Sequence, residues 1–183
     1  MSQALEIKGG MPDQLASRTA PGWPWRAVDV DFDAAVMTIA RTVVPGGWDV
    51  ADDAPSTFEQ LSEHLATGRR MVVWSGASGL TIYGSPEVNF AFRAWHDWLH
   101  WQGNHPFTFE GETMVGWTQV EQLRKMFGHH PRLRQWQAYL FAEVIGQVMY
   151  AELNGGFPGN QRQFAQRLVD VLLDQQARPP RLS

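Results

Sequence analysis

Apolar residues recur at helical spacing along most of this chain. Between Asp31 and Val44, the residues Phe32, Val36, Ile39, Ala40 and Val43 share one face, and Pro45-Gly46-Gly47 ends the run. Ser56-Thr57-Phe58-Glu59 has the form of a capping box and opens a short helix to about Thr67, with Gly68 as its stop. Ser85-Pro86-Glu87 sets a cap before a proline at the first helical position. The helix it starts runs to about Gln102, with Val88, Phe92, Trp95 and Leu99 as its core stripe. Further helices are predicted from about Glu112 to Phe127, from Pro131 to about Leu153 and from Asn160 to Gln175. Gly128, Gly155-Gly156 and Pro179-Pro180 punctuate them.

Met71 to Ser85 breaks the helical rhythm. Met71-Val72-Val73-Trp74 and Leu80-Thr81-Ile82-Tyr83 flank Ser75-Gly76-Ala77-Ser78-Gly79, which predicts a β-hairpin. No lysine follows that glycine-rich turn and no helix starts from it, so it is a turn and not a phosphate cradle. The expected fold is therefore mainly α, a compact helical domain of about six helices with one small β-hairpin. Residues 1–28, broken by Pro12, Pro21 and Pro24, form an extended N-terminal arm that Trp23 and Trp25 pin to the body. Residues 29–176 make a single helical domain with the hairpin at 71–85, and residues 177–183 a flexible tail.

Composition narrows the function more than the fold. The 183 residues are 44% hydrophobic and include nine tryptophans, enough for a real core. A net charge of −4 gives a nucleic-acid partner no support. The arginines at 124, 132, 134, 162 and 167 read as a solvated face. With no cysteine, disulfides, thiolate metal sites and cysteine nucleophiles are excluded. Residues 1–10 lack the apolar core of a signal peptide, and the apolar stretch Ala138–Leu153 is interrupted by Glu143, Gln147 and Glu152. No membrane span and a cytoplasmic location are expected.

The candidate chemistry sits in His96-Asp97-Trp98-Leu99-His100, followed after eleven residues by Gly111-Glu112. Histidines four apart lie one helical turn from each other, so their ring nitrogens can converge. A carboxylate from the next helix completes a two-histidine, one-carboxylate set for one divalent ion, zinc first, with iron or manganese as alternatives. Glu112 also suits the capping of its own helix, which leaves Glu110 as the alternative ligand. Asp97 occupies the position of the general base in HExxH metalloproteases but is one methylene shorter. It therefore ligates the metal or orients a histidine, and a protease is disfavoured. Gln119 returns to the face of Glu112. The helix around Ala138–Tyr150 is apolar nearly all round yet carries Glu143, Gln147 and Tyr150 along one face. A buried carboxylate there needs a cation, a metal or a donor network. Glu143 is accordingly a fourth ligand or general base, or else the partner of an arginine such as Arg93. His64, His96-Asp97 and Asp170 superficially match HD-type phosphohydrolases, but the hairpin between His64 and His96 argues against that fold.

Two resemblances attach to these residues. His96-Asp97-Trp98-Leu99-His100 with Gly111-Glu112 resembles the HDxxH-x11-E motif of the ubiquinone-biosynthesis family that acts in ring decarboxylation and complex assembly. That resemblance implies a divalent cation held by His96, Asp97, His100 and Glu112. The longer set Asn89 to Asp97, Gly111-Glu112, Gln119 and Glu143-Val144-Ile145-Gly146-Gln147 is similar to a group of uncharacterised phage and bacterial proteins, and implies a shared site without an activity.

The sequence thus predicts a metal-dependent hydrolase acting on a small polar substrate, favoured over an oxidative metalloenzyme. His96, His100 and Glu112 hold the metal, Asp97 and Glu143 are the catalytic candidates, and Gln119, Gln147 and Tyr150 contact substrate or ligands. Its rivals are a non-catalytic interaction protein with a structural metal and a protein partner at exposed Trp23, Trp25, Trp98 and Trp101, and a quinone- or lipid-binding protein. An apolar tunnel to His100 would favour the last.

Overall fold

A computed structural model describes residues 26–76 and 80–177. The chain runs α1 (Val30–Val43), β1 (Trp48–Ala51), α2 (Phe58–Ala66), β2 (Met71–Trp74), α3 (Pro86–Gly103), α4 (Phe109–Phe127) and α5 (Leu133–Phe141). A five-residue π-helical segment (Ala142–Gly146) then leads without a break into α6 (Gln147–Asn154), and α7 (Gln161–Ala177) follows. The protein is a mainly helical domain with a minor β element, as its periodicity predicts.

The β element differs from the hairpin. β2 pairs in parallel with β1, in the register Trp48↔Met71 to Ala51↔Trp74. The crossover between them is α2. Leu80–Tyr83 makes turns and bends, and its apolar side chains serve the core, with Ile82 and Tyr83 buried. Its carbonyls serve other segments: Ile82 O accepts from Val28 N–H, and Leu80 O from Arg162 N–H. A four-residue strand after Pro45-Gly46-Gly47 carries too little alternation to be read from sequence, which makes the second apolar run look like the partner of β2. The arm before residue 26, residues 77–79 of the turn, and the tail beyond 177 lie outside the described residues.

Capping explains most helix starts. Asp29 Oδ1 accepts from the backbone of Asp31 and Phe32 at the head of α1, while its Oδ2 takes Trp136 Nε1–H at 3.0 Å and Arg132 at 2.8 Å. One buried carboxylate thereby ties α1 to α5. The box ahead of α2 sits one residue later than predicted: Thr57 is the cap, and Gln60 Oε1 reaches back to Ser56 N–H. Ser85 and Pro86 open α3 as expected, and Thr108 caps α4. Phe32, Ile39, Trp95, Leu123, Trp136 and Leu140 are fully buried in the main core, which packs α3 and α4 with α1, α5 and α7. A smaller core under β1, β2 and α2 takes Trp98 and Trp101, whose rings lie 4.8 Å apart. These two tryptophans are half-buried packing groups, not an exposed partner surface. Among the described residues the exposed tryptophans are Trp74 on β2 and Trp117 on α4.

Candidate metal centre

α3 presents His96 and His100 on one face, and the turn after it brings α4 back so that Glu112, in the first turns of α4, meets them. The three ligand-type atoms converge. His96 Nε2 and His100 Nε2 stand 3.0 Å apart, and Glu112 Oε2 lies 3.0 Å from the first and 3.5 Å from the second. Ligands bound at about 2.1 Å stand about 3.0 Å apart at right angles and about 3.4 Å apart at the tetrahedral angle. The observed triangle has the spacing that three ligands around one divalent ion would need. Among the described residues this is the group of His, Asp and Glu that can hold a metal.

The far side of each imidazole is fixed as well. His100 Nδ1 meets the His105 carbonyl at 2.8 Å, and His96 Nδ1 meets Gln119 Oε1 at 3.2 Å. An oxygen at Nδ1 calls for a proton there, which leaves both Nε2 lone pairs facing inward. Lone pairs opposed at 3.0 Å repel unless a cation lies between them. In the metal-free protein that cation is a proton. Burial disfavours the charged His96, but the Glu112 carboxylate, aided by Asp97 and Gln119, overrides it and raises His96 to about 9. Burial likewise favours a neutral Glu112, and the two histidines outweigh it and hold its carboxyl below the ordinary range.

His100 is completely buried, whereas the His96 and Glu112 side chains are 16% and 15% exposed. The triangle therefore opens to solvent on one edge. Structural zinc sites close with four protein ligands, and catalytic ones keep a position free.

Local sequence explains the placement of Glu112. A Cβ at Gly111 would lie 1.9 Å from the Pro106 carbonyl oxygen, so only glycine lets α4 start this close to the preceding turn. Gly111→Ala is expected to lower stability by about 3 kcal/mol, the upper end for an overpacked site, and to weaken metal uptake by shifting Glu112. Urea unfolding and metal content check both. Thr108 caps the helix, which frees Glu112 for the histidines, while Glu110 is exposed.

The other predicted residues separate. Gln119 is wholly buried and holds His96. Gln119→Leu keeps the volume and removes that acceptor, so metal affinity should fall about 10- to 100-fold while the fold survives. Competition with a chromogenic chelator measures it. Asp97 stands beside the triangle without joining it. Its carboxyl is raised by burial, while His96, His100 and Arg93 pull it down and Glu112 pushes it up. Glu143 is buried in the π segment, outside the cluster; burial raises it to about 8, against a hydrogen bond from Gln147. The convergent cluster does not include it, and Arg93 donates to the carbonyls of Trp74 and Gly76. Tyr150 packs edge-on against Phe164 at 5.3 Å and lines a cavity of about 440 Å³ between α6 and α7. His64 binds the Arg70 carbonyl, and Asp170 is exposed, so the HD-type pattern does not assemble. Tyr83, buried ahead of α3 with a hydroxyl that has no hydrogen-bond partner among the described residues, gives no site signal in the sequence because its segment reads as a strand.

Another cavity, of about 670 Å³, lies by α2 and β1 among Asp49, Asp53, Glu63, His64 and Arg69. Neither cavity is lined by His96, His100 or Glu112. No helix among the described residues is long and apolar enough to cross a membrane. Comparison with protein-family models, with curated proteins and with solved structures finds no match to the chain.

Proposed function

We propose that this protein is a divalent-metal-dependent hydrolase of a small polar substrate, with His96, His100 and Glu112 as its ligands. The observation that carries this reading is the triangle itself: three convergent donors, both imidazoles fixed from behind, and one edge open to solvent. A metal held by three protein ligands keeps a position for water and lowers its pKa to the neutral range. Zinc fits two imidazoles and a carboxylate, and so does ferrous iron, which would redirect the search to oxygen chemistry. Asp97, half-buried beside both histidines, is the residue this reading assigns to hold a proton, at its carboxylate.

The rival reading, a structural metal in an interaction protein, draws on Trp117 and Met114, which are 53% and 52% exposed on α4. The quinone or lipid reading asked for an apolar tunnel to His100, and neither cavity includes that residue.

The test uses chelator-stripped protein reloaded with zinc, manganese or ferrous iron and assayed on nitrophenyl acetate, nitrophenyl phosphate and bis(nitrophenyl) phosphate. Turnover that returns with one metal and vanishes in His96→Ala is expected. Metal-loaded protein that hydrolyses all three no faster than His96→Ala would overturn the hydrolase reading and leave the metal structural.

A further inference from the structure

A buried polar atom with no partner costs about 1–3 kcal/mol, so several in one region call for a group that completes them. Gln119 Nε2, the Tyr83 hydroxyl and Glu143 Oε1 are buried without a hydrogen-bond partner among the described residues. They come from three segments: α4, the turn ahead of α3, and the π segment. Several contacts draw these segments together. Burial first, and then the charge of Glu143, raises the Tyr83 hydroxyl, so those two groups lie in electrostatic range. The Tyr83 ring packs 5.2 Å from Phe92, and Phe92 stacks 5.9 Å from His96, the ring that Gln119 holds. Gly116, one turn before Gln119, has no Cβ to keep α4 off Val144 and Ile145, the residues directly after Glu143. The three atoms thus belong to the region between α3, α4 and the π segment, behind His96. π-helical turns recur at functional sites because they aim a side chain that a regular helix would not.

The unmet capacity is that of donors. Gln119 Nε2 can only donate, and the Tyr83 hydroxyl has a proton to give. Glu143, held up to about 8 by burial, keeps its proton at neutral pH and offers an O–H. The Arg93 guanidinium adds positive charge that acts on Tyr83. Asp33, which acts on the same hydroxyl with the opposite sign, is engaged through Oδ2 by the Gly84 N–H, while its Oδ1 is an acceptor buried without a partner among the described residues and sets the acidic limit of the region. We propose that Tyr83, Gln119 and Glu143 form an inner subsite behind the candidate metal centre that takes a small oxyanion, the carboxylate or phosphate end of the substrate. This deepens the hydrolase reading and rests on it for the word substrate, but the subsite itself is testable without metal.

The experiment titrates the full chain, stripped of metal by chelator, with acetate, inorganic phosphate and acetamide, followed by amide NMR shifts and thermal melts. Saturable binding of acetate or phosphate is expected, and which of the two binds tells the carboxylate source from the phosphate source. Tyr83→Phe and Gln119→Leu should each weaken it at least about tenfold. Tyr83→Phe should be as stable as wild type or more so, because it removes an orphan atom, whereas Gln119→Leu also takes the acceptor from His96 Nδ1 and should be folded but somewhat less stable. Zinc uptake of Tyr83→Phe, measured separately, should be unchanged. Three results would overturn the subsite: neither anion saturates, both variants bind as tightly as wild type, or acetamide binds as tightly as acetate. A chain that binds zinc without the anion loses the subsite alone, and one that binds the anion without zinc loses the metal reading alone.

Discussion

Protein purified without a histidine tag is expected to carry close to one divalent ion per chain, and His96→Ala/His100→Ala to carry none. The size of the effect follows from the donor count. Removing a group that only orients a ligand lowers metal affinity about 10- to 100-fold, so deleting two of three ligands removes far more than that. What remains is the Glu112 carboxylate with no imidazole at 3.0 or 3.5 Å. Elemental mass spectrometry measures the content, and thermal melts with and without chelator give an independent reading. An ion present at about a thousand times its Kd adds about 4 kcal/mol to the folded state. Wild type should therefore melt several degrees lower after stripping, and the double variant should ignore the chelator. Wild type that carries no metal and is indifferent to chelator would reduce the triangle to a hydrogen-bonded brace between α3 and α4.

Glu143→Gln is expected to stabilise the protein at alkaline pH while removing a group of the proposed subsite. Burial raises the Glu143 carboxyl from about 4.5 unfolded to about 8 folded. Within that interval the native state keeps a proton that the unfolded state has lost, so stability declines as pH rises from 4.5 to 8 and is level above it. At about 1.4 kcal/mol per pH unit the decline is on the order of 5 kcal/mol, and a glutamine cannot suffer it. Asp33, raised by burial to about 6, and His96, raised by Glu112 against burial, also titrate in or near this range. Both chains share them, so the difference between variant and wild type isolates Glu143. Urea unfolding at pH 5 and pH 8.5 should show near-equal stabilities at the first and a clear gain for Glu143→Gln at the second. Equal stabilities at both would mean that Glu143 has a cation or donor partner in solution. A side chain whose replacement strengthens the fold is kept for another reason, the usual exchange between stability and function.

The ligand set was legible because its code is local. Two histidines at i and i+4 need only a helix, and the Pro86 start and Trp95 and Leu99 stripe declare one. Gly111 marks where α4 crowds the preceding turn, so Glu112 was also legible, though its use as a ligand in place of a cap depends on Thr108 taking the cap. What the sequence hid was long-range. The parallel partner of β2 lies more than twenty residues upstream, beyond α2, and a strand as short as Trp48–Ala51 has no periodicity of its own. Tyr83 reads as half of a hairpin because an apolar turn and an apolar strand share composition. Whether Glu143 would meet the histidines depended on helix packing, which no spacing rule encodes.

The π segment also changes what a helical wheel can say about this chain. Each residue of an α-helix turns about 100°, so the residue accommodated between Ala142 and Gly146 shifts the phase of everything after it by roughly that angle. Positions 143 and 150, seven apart, would share a stripe on an unbroken helix. Here Tyr150 instead goes with Gly146 toward α7, where a Cβ on Gly146 would strike Leu168 and the Tyr150 ring already meets Phe164. Deleting one residue from 142–146 would rewind the segment and trade that α7 seam for a second aromatic hydroxyl on the Glu143 face. The reading frame of the helix, not only its composition, determines which wall of the protein each of its polar groups belongs to.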